Sequence, residues 1–300
     1  MSMRRWLLAG FFLCSLPLSG CTYINNLFHP DDRPDAGGLA TNATPSEFAQ
    51  AIFQSDAPTA FDALEWDLNV TKFTPGANTR WYWALWAQFE HGPGFYVGLQ
   101  PDGQFLNSPP GKKAVFSFFG ADTQGLTPNC TAYGRDKRAS CRLPFDWKTG
   151  ETYRFAVKRA PGPSSDTIAW TATITARSSG VTTPIGTVSV PASYGNIQTT
   201  TQGWSEWTPG VPANCDVRSS FAATMTSPTG YVAGKSYPET VTRGQPTGCV
   251  IVFPDGPETL IMQTRLGNEA TTANTPVPTA TKKTTAPAVK KAPAKKRARS

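Results

Sequence analysis

The sequence predicts an all-β fold: an antiparallel β-sandwich of jelly-roll or lectin-like type, with one short N-terminal helix and a disordered basic C-terminal tail. Three observations carry that prediction. Apolar residues recur at every second position through several stretches between residues 61 and 265, the period of a strand with one buried face. Turn-forming clusters such as "PGAN" 75–78, "HGPG" 91–94, "KTG" 148–150 and "APGPSSD" 160–166 separate those stretches at the spacing of an all-β domain. Almost no helical periodicity appears between them, and roughly 200 residues are ample for one core of this kind.

Taken from the N-terminus, "MSMRRWLLAGFFLCSLPLSGC" begins with Arg4 and Arg5, followed by an apolar run over residues 6–18. That run is too short to cross ~30 Å of hydrocarbon comfortably and has the layout of a secretory signal. Its end, Leu18-Ser19-Gly20-Cys21, resembles the lipobox of bacterial lipoproteins. The resemblance implies a signal peptide over 1–20, a lipid on Cys21, and a protein exported to the cell envelope and held at its membrane. Residues 21–43, polar and rich in Gly, Pro and Asp, read as a flexible tether. Thr44-Pro45-Ser46-Glu47 reads as a capping box with Pro at the first helical position. Phe48, Ile52 and Phe53 then supply one apolar side for the short helix.

The sandwich is expected over 44–267. In "ALEWDLNVTKF", Leu64, Trp66, Leu68 and Val70 share one face; Tyr153, Phe155 and Val157 do so in "ETYRFAVKR", and Ile168, Trp170, Ala172 and Ile174 in "TIAWTATITAR". "WYWALWAQF" (81–89) differs: Trp81, Trp83, Leu85 and Phe89 point one way, while Tyr82, Ala84, Trp86 and Gln88 point the other. Both faces are apolar or aromatic, so one belongs to the core and the other is a second packing surface or a ligand platform. Beyond residue 268 the chain is almost wholly Thr, Ala, Pro and Lys, too poor in apolar surface to fold.

Charge divides sharply along the chain. The formal net charge is +7, but residues 282–300 alone hold eight Lys and Arg and no acid. Setting these aside with Arg4 and Arg5 leaves 18 basic against 21 acidic residues, about −3 over residues 22–281. The folded part is therefore not a basic nucleic-acid-binding domain. The tail is a flexible polycation, expected to meet an anionic envelope polymer.

With Cys14 in the signal and Cys21 lipidated, Cys130, Cys141, Cys215 and Cys249 remain. Four cysteines in an exported domain point to two disulfides. Three pairings are open, and pairing nearest in sequence gives Cys130–Cys141 and Cys215–Cys249. No Cys/His spacing or acidic DxDxDG loop calls for a metal, no motif calls for a cofactor, and a monomer is expected.

Three stretches resemble the DUF3472 family of secreted or lipid-anchored bacterial proteins. They are "GFYVGLQPDGQ" with "KAVFSFFGAD" (94–122), "SCRLPFDWKTGETYRFAVK" (140–158), and "WTATITARSSGVTTPIGTVSVP" with "GWSEW" (170–207). Phe119 stands where that family tends to have Trp, and "CTAYGRDKRASC" where it has a Gly/Glu-rich loop. The resemblance implies a lectin-like sandwich and no established chemistry.

Candidate sites follow from residue chemistry. Sugars stack apolar C–H faces on aromatic rings, with polar groups alongside to orient the hydroxyls. Trp147, Trp204 and Trp207 lie near turns; Trp86, on the second face of its strand, and Tyr96 complete the candidate ligand-binding set. A glycan hydrolase on the same scaffold would need two carboxylates at a set distance, with Asp102, Asp122, Glu151 and Glu206 eligible. His91 sits in a turn, and no GxSxG or HExxH motif occurs. The reading is of a non-catalytic binder of carbohydrate or a cell-wall component. The alternatives are that hydrolase, or a structural protein that binds another envelope protein.

Stable anchoring relies on more than one acyl chain at the lipidated position. Cys21→Ala should therefore shift the protein from membrane to soluble fractions; retention on membranes after a salt wash would refute lipidation at Cys21.

Overall fold

A computed structural model of the protein describes residues 47–75, 81–101, 111–120, 122–133, 138–207, 220–246 and 249–264. The expectations for Cys21, the tether, Cys215, Asp102 and the tail lie outside the described residues.

Eighteen strands are described. The first nine are β1 (Glu47–Gln54), β2 (Ala63–Thr74), β3 (Trp81–Phe89), β4 (Phe95–Gln100), β5 (Lys113–Phe118), β6 (Gln124–Gly125), β7 (Cys130–Tyr133), β8 (Arg138–Pro144) and β9 (Thr152–Pro161). The rest are β10 (Thr167–Ala176), β11 (Thr182–Pro191), β12 (Ile197–Trp207), β13 (Ser220–Thr226), β14 (Thr229–Val232), β15 (Lys235–Pro238), β16 (Thr240–Gln245), β17 (Val250–Pro254) and β18 (Thr259–Thr264). They form two antiparallel sheets packed as a sandwich. Sheet A runs β16-β1-β12-β3-β4-β5-β8-β7, and sheet B runs β17-β18-β13-β2-β9-β10-β11-β6, with the β14–β15 hairpin attached to β2. The predicted sandwich is what forms.

The alternation read from the sequence sets which residues enter the space between the sheets. Leu64, Trp66, Leu68 and Val70 of β2 point inward, as do Tyr153, Phe155 and Val157 of β9 and the apolar set of β10. From sheet A, Trp81, Trp83, Leu85 and Phe89 of β3 meet them. Fully burying each such ring or branched chain stabilises by roughly 1.5–3 kcal/mol, and the rings engage in tilted and edge contacts, as between Trp83 and Phe221 at 5.3 Å.

The expected N-terminal helix is not formed. Glu47–Gln54 is strand β1 instead, paired with β12 on one side and β16 on the other. The segment contains a second periodicity: Ala49, Ala51 and Phe53 alternate inward and are fully buried, with Gln50 facing the other way. Pairing on both edges satisfies the backbone polar groups and buries that face, which outweighs local helix propensity and a capping signal.

The Cys130–Cys141 disulfide is present and joins register partners on β7 and β8. Closing so short a loop constrains the unfolded chain by roughly 3 kcal/mol on the chain-entropy account. Both sulfurs lie against Gly186 of β11 in the opposite sheet, where a Cβ would sit 2.5 Å from each. The bridge is thus packed into the seam between the sheets, and glycine at 186 makes room for it. Cys249 is also disulfide-bonded, with its partner outside the described residues.

A titratable side chain enters the core. Glu239, between β15 and β16, is 1% exposed and accepts a hydrogen bond from the hydroxyl of Thr201, while its Oε1 has no partner. Burial pushes its carboxyl up from 4.5 to about 8, against the lowering effect of the Thr201 bond. Glu239 is therefore largely protonated at neutral pH, the state that burial of an unpaired carboxyl favours.

Two outcomes follow. Because the folded state holds the Glu239 proton more tightly than the unfolded chain, its contribution is full below about pH 4.5 and is lost as pH rises toward about 8. Thermal unfolding should give a lower Tm at pH 8 than at pH 5, and Glu239→Gln should flatten that slope; a parallel pH profile for the variant would refute the assignment. Gly186→Ala should cost about 1–3 kcal/mol by overpacking against the disulfide, read as a Tm drop in the oxidised protein; an unchanged Tm would show that the seam has slack.

Candidate functional site: the outer face of sheet A

Sheet A has a second apolar surface, facing away from sheet B. Because β3 is apolar on both sides, Tyr82, Ala84 and Trp86 project outward while Trp81, Trp83 and Leu85 fill the core. The neighbouring strands answer in register. Tyr82 is opposite Glu206 of β12, Ala84 is opposite Trp204 and Gly98, and Trp86 lies between Gln202 and Tyr96. On β5, Val115 and Ser117 face outward between the inward Ala114, Phe116 and Phe118. One row therefore crosses six strands: Gln50, Trp204, Ala84, Gly98, Val115 and Arg142. At about 4.8 Å per strand, the row spans about 24 Å.

The floor of this face is low and its rings are clustered. Ala84, Gly98 and Val115 lie in the central strands. A Cβ at 98 would sit 1.9 Å from the Trp83 carbonyl oxygen and 2.8 Å from the Ala84 Cβ, so only glycine lets β3 and β4 approach as they do. The rings of Tyr82 and Tyr96 meet edge to face at 5.3 Å, and Tyr96 also touches Trp204 at 5.8 Å and Phe119 at 5.5 Å.

Polar groups border the rings. Gln50 Nε2 donates to Gln245 Oε1 at 2.7 Å, and the Ser117 and Ser140 hydroxyls are hydrogen-bonded to each other. Arg138 lies over the Phe119 ring, 5.4 Å from its centroid. Among the buried oxygens on this face, Tyr82 Oη and Gln202 Oε1 have no hydrogen-bond partner; their residues are 3% and 8% exposed. Burial, reinforced by Tyr96 and the negative Glu206, holds the Tyr82 phenol well above the usual tyrosine range, with Arg142 opposing. It is a neutral donor at physiological pH.

The sequence-predicted residues divide in two. Trp86, Tyr96 and Trp204 belong to this cluster. Trp204 is fully buried, so it backs the platform. Trp207 ends β12, its backbone paired with Glu47 and Trp81. Trp147 is corrected: it is fully buried in the core between the sheets. Its ring meets Trp83 and Phe73 edge-on, each at 5.7 Å, and its Nε1 donates to the Gln100 carbonyl oxygen. It follows β8 in a loop, as expected, but the loop turns its ring inward, where two ring contacts, the Lys112 ammonium 4.4 Å from its centroid and a backbone acceptor hold it.

Of the candidate carboxylates, Glu206 alone among those described lies in the ring-lined face. Glu151 accepts the Ser178 backbone N–H at 3.0 Å, which lowers its pKa, and Asp122 accepts from the Tyr194 hydroxyl. His91 is an exposed turn residue. Sequence reasoning passed over Tyr82, Gln50, Gln202, Lys113, Arg138 and Arg142. The outward parity of β3 signals Tyr82, but Arg138 sits between the paired cysteines and Arg142 just after them, and only the pairing of β8 with β5 places them on this face.

No protein-family model matches the chain, and no curated protein matches it. Among solved structures it is similar to scytalido-glutamic peptidase bound to a peptide-based transition-state analogue, at 14% identity and a TM-score of 0.43, covering 73% of this chain and 98% of that one. It is also similar to SCP-B, a member of the eqolisin family of peptidases, in complex with the tripeptide Ala-Ile-His, at 13% identity and a TM-score of 0.39, with the same coverage. A third is the marine PL-14 alginate lyase from Aplysia kurodai, at 8% identity and a TM-score of 0.35, covering 62% of this chain and 72% of that one. At this level of similarity no chemistry is carried across.

Proposed function

We propose that the protein is a lipid-anchored envelope component that binds carbohydrate on the outer face of sheet A without chemically altering it. One observation supports this above others: buried aromatic rings over a small-residue floor surround two oxygens, Tyr82 Oη and Gln202 Oε1, that lack hydrogen-bond partners. A buried polar group left unsatisfied costs about 1–3 kcal/mol, and a ligand hydroxyl satisfies it. Sugars bring both requirements together, an apolar ring face and hydroxyls at its edge. On this reading the lipid on Cys21 holds the protein at the membrane, the tether sets the reach of the sandwich, and the basic tail engages an anionic envelope polymer.

The test is a glycan array on the full-length protein alongside Tyr82→Phe. The variant keeps the ring and loses the hydroxyl, so its affinity for the captured glycan should fall about three- to tenfold with its Tm preserved. Unchanged affinity would remove Tyr82 from the site, and release of reducing ends from a captured glycan would replace binding with hydrolysis.

A further inference from the structure

Resting on that carbohydrate reading, we propose that sheet A takes a linear, uncharged glycan lying along β3 and β12, and engages several consecutive sugars of it rather than one terminal sugar. Register supplies the first reason. On the outer face Tyr82 of β3 is opposite Glu206 of β12, Ala84 is opposite Trp204, and Trp86 is opposite Gln202. Tyr82 Oη and Gln202 Oε1, which lack hydrogen-bond partners, therefore belong to opposite ends of this ladder. Their backbone positions are four residues apart along the strands and one strand apart across them, about 14 Å in all. The line joining them runs within about 20° of the strand direction.

That separation sets the size of the ligand. A six-membered ring of single bonds about 1.5 Å long spans about 5 Å with its substituent oxygens, so one sugar meets one end of the ladder and about three in a row meet both. Ala84 and Trp204 occupy the middle and are fully buried, and Gly98 beside Ala84 adds no side chain. Rings follow the same line. Trp86 stands at the Gln202 end, and the partly buried Tyr96 meets Tyr82 at 5.3 Å and Trp204 at 5.8 Å. Successive sugars then have rings on which to stack.

The two ends differ in what they ask for. Gln202 Oε1 is an acceptor and takes a ligand O–H, whereas the protonated Tyr82 hydroxyl donates to a ligand oxygen. A sugar hydroxyl serves at either end. The charged side chains of this face are already engaged within it. Lys113, Arg138, Arg142 and Glu206 each have an interaction partner. Arg138 lies over the Phe119 ring, and Glu206 and Arg142 act on the Tyr82 phenol with opposite sign. An acidic chain would have to displace those contacts, and an uncharged one leaves them in place.

The experiment measures binding of the full-length protein to β-1,4-linked oligomers of glucose, mannose, xylose and N-acetylglucosamine, from one unit to six, by isothermal titration calorimetry. These probes are linear and uncharged, so the basic tail adds no attraction of its own. Affinity in at least one series should rise about tenfold or more from one unit to three and level off beyond, as the two hydrogen bonds are both made. Tyr82→Phe and Gln202→Met, which keep side-chain size, should each weaken the three-unit oligomer about three- to tenfold. Their factors should multiply in the double variant, as for contacts at separate positions. Tm checks the fold of each variant, and the length series on the unsubstituted protein stands whichever variants fold. Equal affinity for one unit and three, or factors that do not multiply in folded variants, would overturn the extended site and leave carbohydrate binding standing. Binding in no series would overturn the proposal, and an empty glycan array beside it would overturn carbohydrate binding as well.

Discussion

A strand that is apolar on both faces must be buried on both faces, and β3 imposes that requirement on everything around it. Its inward residues, Trp81, Trp83, Leu85 and Phe89, demand a second sheet, which β2, β9, β10 and β13 supply. Its outward residues, Tyr82, Ala84 and Trp86, demand a second cluster, which β4, β5 and β12 supply with Tyr96, Val115 and Trp204. A central position in sheet A follows, because an edge strand of this composition would leave rings and backbone groups exposed together. The candidate site is thus a consequence of the same residues that build the core.

The two surfaces of sheet A are packed on different terms. Between the sheets, contact is ring on ring and ring on branched aliphatic, with close approach allowed where Gly203 faces Phe53, Met225 and Leu260. On the outer face, rings share the surface with glutamines, serines and arginines, and the hydrogen-bond accounts of Tyr82 and Gln202 are left open. Those two open oxygens, set among aromatic rings, are what the proposed binding role of this face rests on.

Glu239 shows the same tension inside the core. Its single hydrogen bond from Thr201 falls short of what an ionised carboxylate needs, and the group stays protonated at neutral pH. On the outer face the Arg138 guanidinium is instead set over the Phe119 ring, 5.4 Å from its centroid.

Much of the sandwich was legible in the chain, because period-2 alternation is a local property and β2, β9 and β10 display it over eight or more residues. The Cys130–Cys141 bridge was legible for a similar reason: the two cysteines flank one short connection and fall opposite each other in the β7–β8 pair. The helix expected at Glu47 failed because the segment carries both periodicities, and its choice was made by β12 and β16, which are more than 140 residues away in sequence. Trp147 failed likewise, since a loop tryptophan beside a turn has no alternation to say which way its ring points. What the sequence determined by itself was that strands exist and that each has an apolar side. Only the tertiary structure decided which strands are neighbours and in what register. Cross-strand pairing is non-local, so the row from Gln50 to Arg142 is assembled from six segments that carry no mark of one another until they pair.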